Sequence, residues 1–173
     1  MSDPTAPVPA SAVEMLRHAL ATLAYRAEKV LRAAPADFAA MRLGPSCRSA
    51  VEILSHLGDL MAWGARMARG ESRWEAGTTV TWTEASDRFF RELAAFDAAL
   101  ADPGTAPHQV GILFQGPVAD ALTHVGQLAM MRGVAGQPVR PESYARAPIQ
   151  TGRVGREQAA PGREFDGDAS KPR

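Results

Sequence analysis

The stretch Ser49-Ala50-Val51-Glu52-Ile53-Leu54-Ser55-His56-Leu57-Gly58-Asp59-Leu60 carries two signals at once. Ser49 and Glu52 stand three apart ahead of an apolar run, the capping-box pattern of a helix N-terminus. Behind them Ala50, Ile53, Leu54, Leu57, Leu60, Met61, Gly64, Ala65 and Ala68 step by three and four as far as Gly70, which traces one apolar face of a helix. Ser46, after Pro45, offers a start one turn earlier.

The same grammar recurs on both sides. Ser11 and Glu14 open a stripe through Val13, Leu16, Leu20, Leu23, Ala27 and Val30 that Pro35 brings to a close. Thr81 and Glu84 open another, through Phe89, Leu93, Phe96 and Leu100, ended by Asp102-Pro103-Gly104. Gly116-Pro117 puts proline in a first helical turn, where its missing amide costs little. From there Val118, Ala121, Leu122, Val125, Leu128, Ala129 and Arg132 lead to Gly136 as C-cap. The segment from Val110 to Phe114 allows a short strand or the first turn of the last helix and is read as a connection, and no alternating strand pattern occurs.

The predicted fold is all-α, a four-helix bundle over residues 11–136. Residues 1–10, rich in Pro and Ala, form a flexible N-terminus. Residues 137–173 form a long, largely irregular C-terminal extension of Pro, Gly and Arg. Its isolated apolar residues Tyr144, Ile149, Val154 and Phe165 either lay it over the bundle or leave it disordered, with a mobile last stretch.

The whole chain narrows the choice of function. Its 173 residues suit one domain. Lys plus Arg and Asp plus Glu balance at 19 each, so no cationic excess recommends a nucleic acid as partner. No apolar run approaches the roughly 18–20 residues of a membrane span. A single cysteine, Cys47, and the absence of a signal-peptide pattern suit a reducing cytoplasm.

Chemistry concentrates in a repeat. Glu52-Ile53-Leu54-Ser55-His56-Leu57-Gly58-Asp59-Leu60 and Asp120-Ala121-Leu122-Thr123-His124-Val125-Gly126-Gln127-Leu128 match almost position for position. In each, a carboxylate precedes a histidine by four residues, one helical turn, so both groups share a face. On wheels drawn at about 100° per residue, Glu52, His56, Asp59 and Trp63 form one side row, and Asp120, His124, Gln127 and Met131 the other. Neighbouring helices would set these rows across a cleft lined by Trp63 and Met131. Imidazole and carboxylate without thiolate suit zinc, nickel, iron(II) or manganese in an open site that activates water or a thiol. Glu52 also fills the capping position, so His56, His124 and Asp120 rank ahead of it as ligands. Two plainer readings compete: a packed histidine paired with its carboxylate, and small-residue helix contacts through Gly58 and Gly126.

At these residues the chain resembles the DinB-like superfamily of bacterial four-helix bundles. The likeness rests on His56 within Glu52-Ile53-Leu54-Ser55-His56, on His124-Val125-Gly126-Gln127, and on Leu128 through Gly136 with Arg132; it covers roughly residues 11–136. The family pattern has three histidines for a divalent metal, the last two as His-x3-His. Asp120 stands here where the first of that pair would be. The site carried over is therefore His56, Asp120 and His124. The substitution either makes a two-histidine, one-carboxylate triad or marks a member that has lost firm hold of metal. The resemblance further implies a homodimer and thiol-dependent transfer or isomerisation on a small molecule, with no DNA binding; hydrolysis is the other reaction an open metal site allows. A non-catalytic dimeric bundle with a structural or ligand-sensing role is the alternative. Cys47 beside Arg48, His18, His108 and the tail arginines Arg140, Arg146, Arg153, Arg156 and Arg163 read as accessory or solvated residues.

Overall fold

The computed structural model describes residues 11–78, 81–102 and 110–165. Four long helices make up its frame: α1 (Ala12–Leu31), α2 (Ala50–Ala68), α3 (Trp82–Ala101) and α5 (Ala119–Val134). A single turn, α4 (Val110–Leu113), and a π-helical turn (Phe114–Val118) run straight into α5. The described residues contain no strand, only an isolated antiparallel bridge between Glu142 and Glu164. None of their helices is long and apolar enough to cross a membrane.

Local chemistry sets the helix ends. Ser11 accepts from the Glu14 amide, and full capping boxes form at Ser49–Glu52 and Thr81–Glu84. Ser49 is thus the cap of α2, while Ser46 lies outside the helix. α2 and α5 each stop in a Schellman motif, with Gly70 and Gly136 at positive φ (88° and 76°). There the amides of Glu71 and Gln137 reach back to the carbonyls of Arg66 and Arg132.

One expectation fails. Residues 110–114 are helical, not a connection, and Pro117 sits inside the helix. A proline ring clashes with the carbonyl four residues back and has no amide to offer it. Widening to π pitch over Phe114–Val118 absorbs both defects without breaking the helix.

The apolar stripes converge on one core that includes Leu20, Leu23, Leu54, Leu57, Phe89, Leu93, Phe96 and Leu128, and α2 packs most extensively on α3. α5 packs on both α1 and α2, which makes α2 and α5 neighbours. Arg132 is buried and donates to the carbonyls of Val30, Arg32 and Gln137. It places one cation at the C-terminal ends of both α1 and α5, where backbone carbonyls are unpaired. Desolvation lowers its pKa.

Residues 137–165 are laid over the helices. Val154 enters the core, and Tyr144 packs edge-on against Tyr25 with the Arg26 guanidinium over its ring. Glu142 is buried between the Tyr25 hydroxyl (2.7 Å) and the Lys29 ammonium (2.6 Å). Lys29 also holds Glu164 at 2.7 Å, and Arg156 pairs with Asp87 of α3. Phe165, by contrast, stays exposed. The N-terminus expected to be flexible (residues 1–10), the end of the tail beyond 165 and His108 lie outside the described residues.

Candidate metal centre

The neighbouring placement of α2 and α5 brings the two histidine turns face to face. His56 projects from α2, His124 from the second turn of α5, and Asp120 from the first turn of α5. Both histidines are largely buried, whereas the Asp120 side chain is 46% exposed. His56 Nε2 stands 3.6 Å from Asp120 Oδ2, and His124 Nε2 stands 3.4 Å from Asp120 Oδ1. The imidazole rings meet edge to face, with centroids 4.9 Å apart.

One ligand atom from each residue lies within 4.8 Å of the others. Two bonds of about 2.1 Å to one ion span at most about 4.2 Å, and a tetrahedral pair spans about 3.4 Å. Each histidine stands at about the latter span from one oxygen of Asp120, His56 from Oδ2 and His124 from Oδ1, and the three ligand atoms must draw together from 4.8 Å to share one ion. The donor set of two imidazoles and one carboxylate fits a divalent ion with open positions.

The hydrogen bond behind His124 and the burial of His56 suit ligation. His124 Nδ1 lies 2.7 Å from Gln127 Oε1. A proton on Nδ1 donates to that oxygen and leaves the Nε2 lone pair facing Asp120. Such an outer partner both orients a ligating imidazole and fixes its tautomer. The pKa of His56 is lowered, first by desolvation and then by the charges of Arg48 and His124, against the opposing pull of Asp120. A lowered pKa keeps the ring neutral, with a lone pair to give, at pH 7.

Glu52 takes no part in the cluster. Its carboxylate accepts from the Ser49 backbone amide (2.7 Å) and from Arg42 (2.7 Å), and these bonds depress its pKa to about 2. Asp59 also leaves its row. It is buried, paired with Arg88 of α3 at 2.7 Å, and accepts from the Gly77 amide at 2.8 Å. Met131 does not line the cleft, because two turns beyond His124 α5 has entered the core and buried it. The small-residue explanation of the repeat also weakens at its second copy. A Cβ on Gly126 would find nothing within 4 Å, so no close helix contact requires a glycine there.

Beside the cluster opens a cleft of about 460 Å³ lined by Leu60, Trp63, Gln115, Gly116, Ala119, Asp120 and Thr123. The π turn presents Gln115 and Gly116 to it, and Gly116 rests against the Trp63 indole. One site residue escaped the sequence reading: Trp74, whose ring lies 5.7 Å from that of His56 and 5.5 Å from that of Trp63. Its only sequence signal was an indole soon after the Gly70 helix stop. Cys47 is exposed, and His18 pairs with Thr151 at 3.2 Å.

An all-helical protein with a His–Asp–His cluster at the junction of two helices is the class that fold and site define. No family model, no curated protein and no solved structure matches the chain.

Proposed function

We propose that the protein is a DinB-like helical bundle that binds one divalent metal ion, zinc, nickel, iron or manganese, through His56, Asp120 and His124. It acts as a metal-dependent enzyme on a small molecule, by thiol transfer or hydrolysis. The observation that carries this reading is the convergence of three donor atoms from two helices, with Gln127 behind His124. A plain histidine–carboxylate pair needs neither a second imidazole on the same carboxylate nor an outer acceptor that fixes the tautomer.

A bound divalent ion supplies Lewis acidity and charge stabilisation. The chain itself does the rest. His56 and His124 offer neutral nitrogens, Asp120 offsets one positive charge, and Gln127 holds the His124 proton on Nδ1. Asp120 is open to the cleft, so a substrate group entering past Thr123 and Gln115 reaches its carboxylate directly.

Metal analysis of protein purified without an affinity tag tests the reading. Wild type is expected to carry close to one equivalent of divalent metal, and the double variant His56→Ala, His124→Ala none. Equal metal contents in the two would overturn it.

Exposed Ile112 and Phe114 on the α4 and π turns, with Met130 and Val134 on α5, favour the second reading, a non-catalytic dimer through these helices. Sedimentation of a metal-free sample decides it: a dimer that dissociates on Met130→Glu supports that role, and a monomer removes it.

A further inference from the structure

Residues 71–78, between α2 and α3, have no regular structure, yet side chains of α2 fix them at several points. Trp63 Nε1 donates to the Ser72 carbonyl (3.2 Å), and Arg66 Nε donates to the Arg73 carbonyl (3.1 Å). Farther on, the Gly77 amide donates to buried Asp59. Gly77 lies so close to the Arg88 guanidinium that a Cβ there would stand 2.4 Å from Nη1. The segment is therefore clamped on both sides of Trp74. The clamps press that indole against His56 and Trp63, but they leave it 42% exposed.

Burial alone does not account for this arrangement. A connection free to bury an indole would turn it inward, whereas here several side-chain bonds hold it beside His56 and Trp63, partly exposed. The neighbouring cleft, which Trp63 and Asp120 line, has the size of small-molecule sites. Leu60, Trp63 and Ala119 give it apolar walls, and Gln115 and Thr123 give it neutral hydrogen-bonding groups. Asp120 is the only charged residue lining it, and no lysine or arginine lines it, so its side chains offer no cation to a phosphate or carboxylate.

We infer that Trp74 and Trp63 form the specificity-determining wall of the site, selecting a small molecule that carries an aromatic ring beside the atom presented to the metal. The inference rests on the metal reading above. Offset or edge-on contact of the ring with the two indoles supplies the selection, and the clamps keep the indoles in place before binding.

A matched pair of metal-binding probes tests it: acetohydroxamate and benzohydroxamate, which differ by a methyl against a phenyl. Each is titrated calorimetrically into the zinc-loaded full chain, with zinc content measured on the same samples. Wild type is expected to prefer benzohydroxamate by about ten- to a hundredfold, as burial of most of one phenyl group implies. Trp74→Ala should cut that preference at least fivefold and leave zinc affinity within about threefold. Trp74→Phe, which keeps a ring at the same place, should retain most of the preference and serves if the alanine variant folds poorly. A wild type that takes up no zinc overturns the metal reading. Zinc-loaded wild type that binds the two probes alike, or a Trp74→Ala variant that keeps the preference, overturns the wall while the metal site stands.

Discussion

Replacing Lys29 with methionine isolates the ion pair that holds the C-terminal segment on α1. The Lys29 side chain is 5% exposed, with its ammonium 2.6 Å from Glu142 and 2.7 Å from Glu164. Methionine matches the aliphatic stem, so apolar packing survives and the loss is the cation alone. Glu164 is partly exposed and can turn to water, but the Glu142 side chain is fully buried and would keep only the Tyr25 hydroxyl. Stranding a buried charge in this way costs about 3–5 kcal/mol. For a chain of this size that corresponds to a fall in Tm of about 6–20 °C. Adding Glu142→Gln removes the stranded charge while keeping an acceptor for Tyr25, so the double variant should recover at least half of the loss. Urea denaturation of wild type, both single variants and the double variant measures the coupling. Desolvation lowers the Lys29 pKa, but its bonds to Glu142 and Glu164 outweigh that and raise it overall. The contribution is therefore complete below the ordinary 10.5 and lost only as pH rises through the elevated folded value. The deficit of the methionine variant should accordingly persist undiminished up to pH 9. A loss under about 1 kcal/mol, or single losses that simply add, would refute the reasoning.

Three further outcomes are expected. Gln127→Leu removes the acceptor on His124 Nδ1 and should weaken zinc binding about 10–100-fold in competition with a chromophoric chelator; an unchanged affinity would deny Gln127 any part in orienting the ligand. Asp120→His supplies a third imidazole, so it should strengthen nickel and zinc binding relative to manganese in the same assay, and the reverse order would argue against ligation at position 120. Glu52 should titrate near 2 by NMR, its helix-capping contribution present above the ordinary 4.5 and lost as pH falls through about 2. Arg42→Ala should raise that value only part of the way, because the Ser49 amide bond persists; full return to 4.5 would show that the capping box contributes nothing.

The features legible in the sequence are those governed by a few adjacent residues. The caps at Ser11, Ser49 and Thr81 each need one hydroxyl and, for the boxes, one carboxylate three positions on; all three helices begin there. His56, Asp120 and His124 were legible as a group because one helical turn fixes which side chains share a face. Periodicity gives a direction around an axis but not what waits there. Asp59 shares the row of His56, yet Arg88 from α3 claims it, and Met131 shares the row of His124, yet the core closes over it. Pairings far apart in sequence left no local trace. Glu142 finds Lys29 across 113 positions, and Trp74 reaches His56 only because Asp59, Trp63 and Arg66 hold the intervening chain. The helical state of residues 110–114 was hidden for another reason: proline reads as a start, and only a change of pitch lets it stand mid-helix.

That change of pitch also sets a phase. A π turn holds one residue more than an α turn, so everything upstream of it is rotated by about 100° relative to an unbroken helix. Leu113 meets the core and Gln115 the cleft only with the extra residue in place. Deleting one residue between 114 and 116 would return the turn to α pitch, bring back the clash at Pro117 and swing α4 by that angle, carrying Leu113 out of the core. The length of this turn is thus a register mark: point substitutions along it should be tolerated far better than a single-residue deletion.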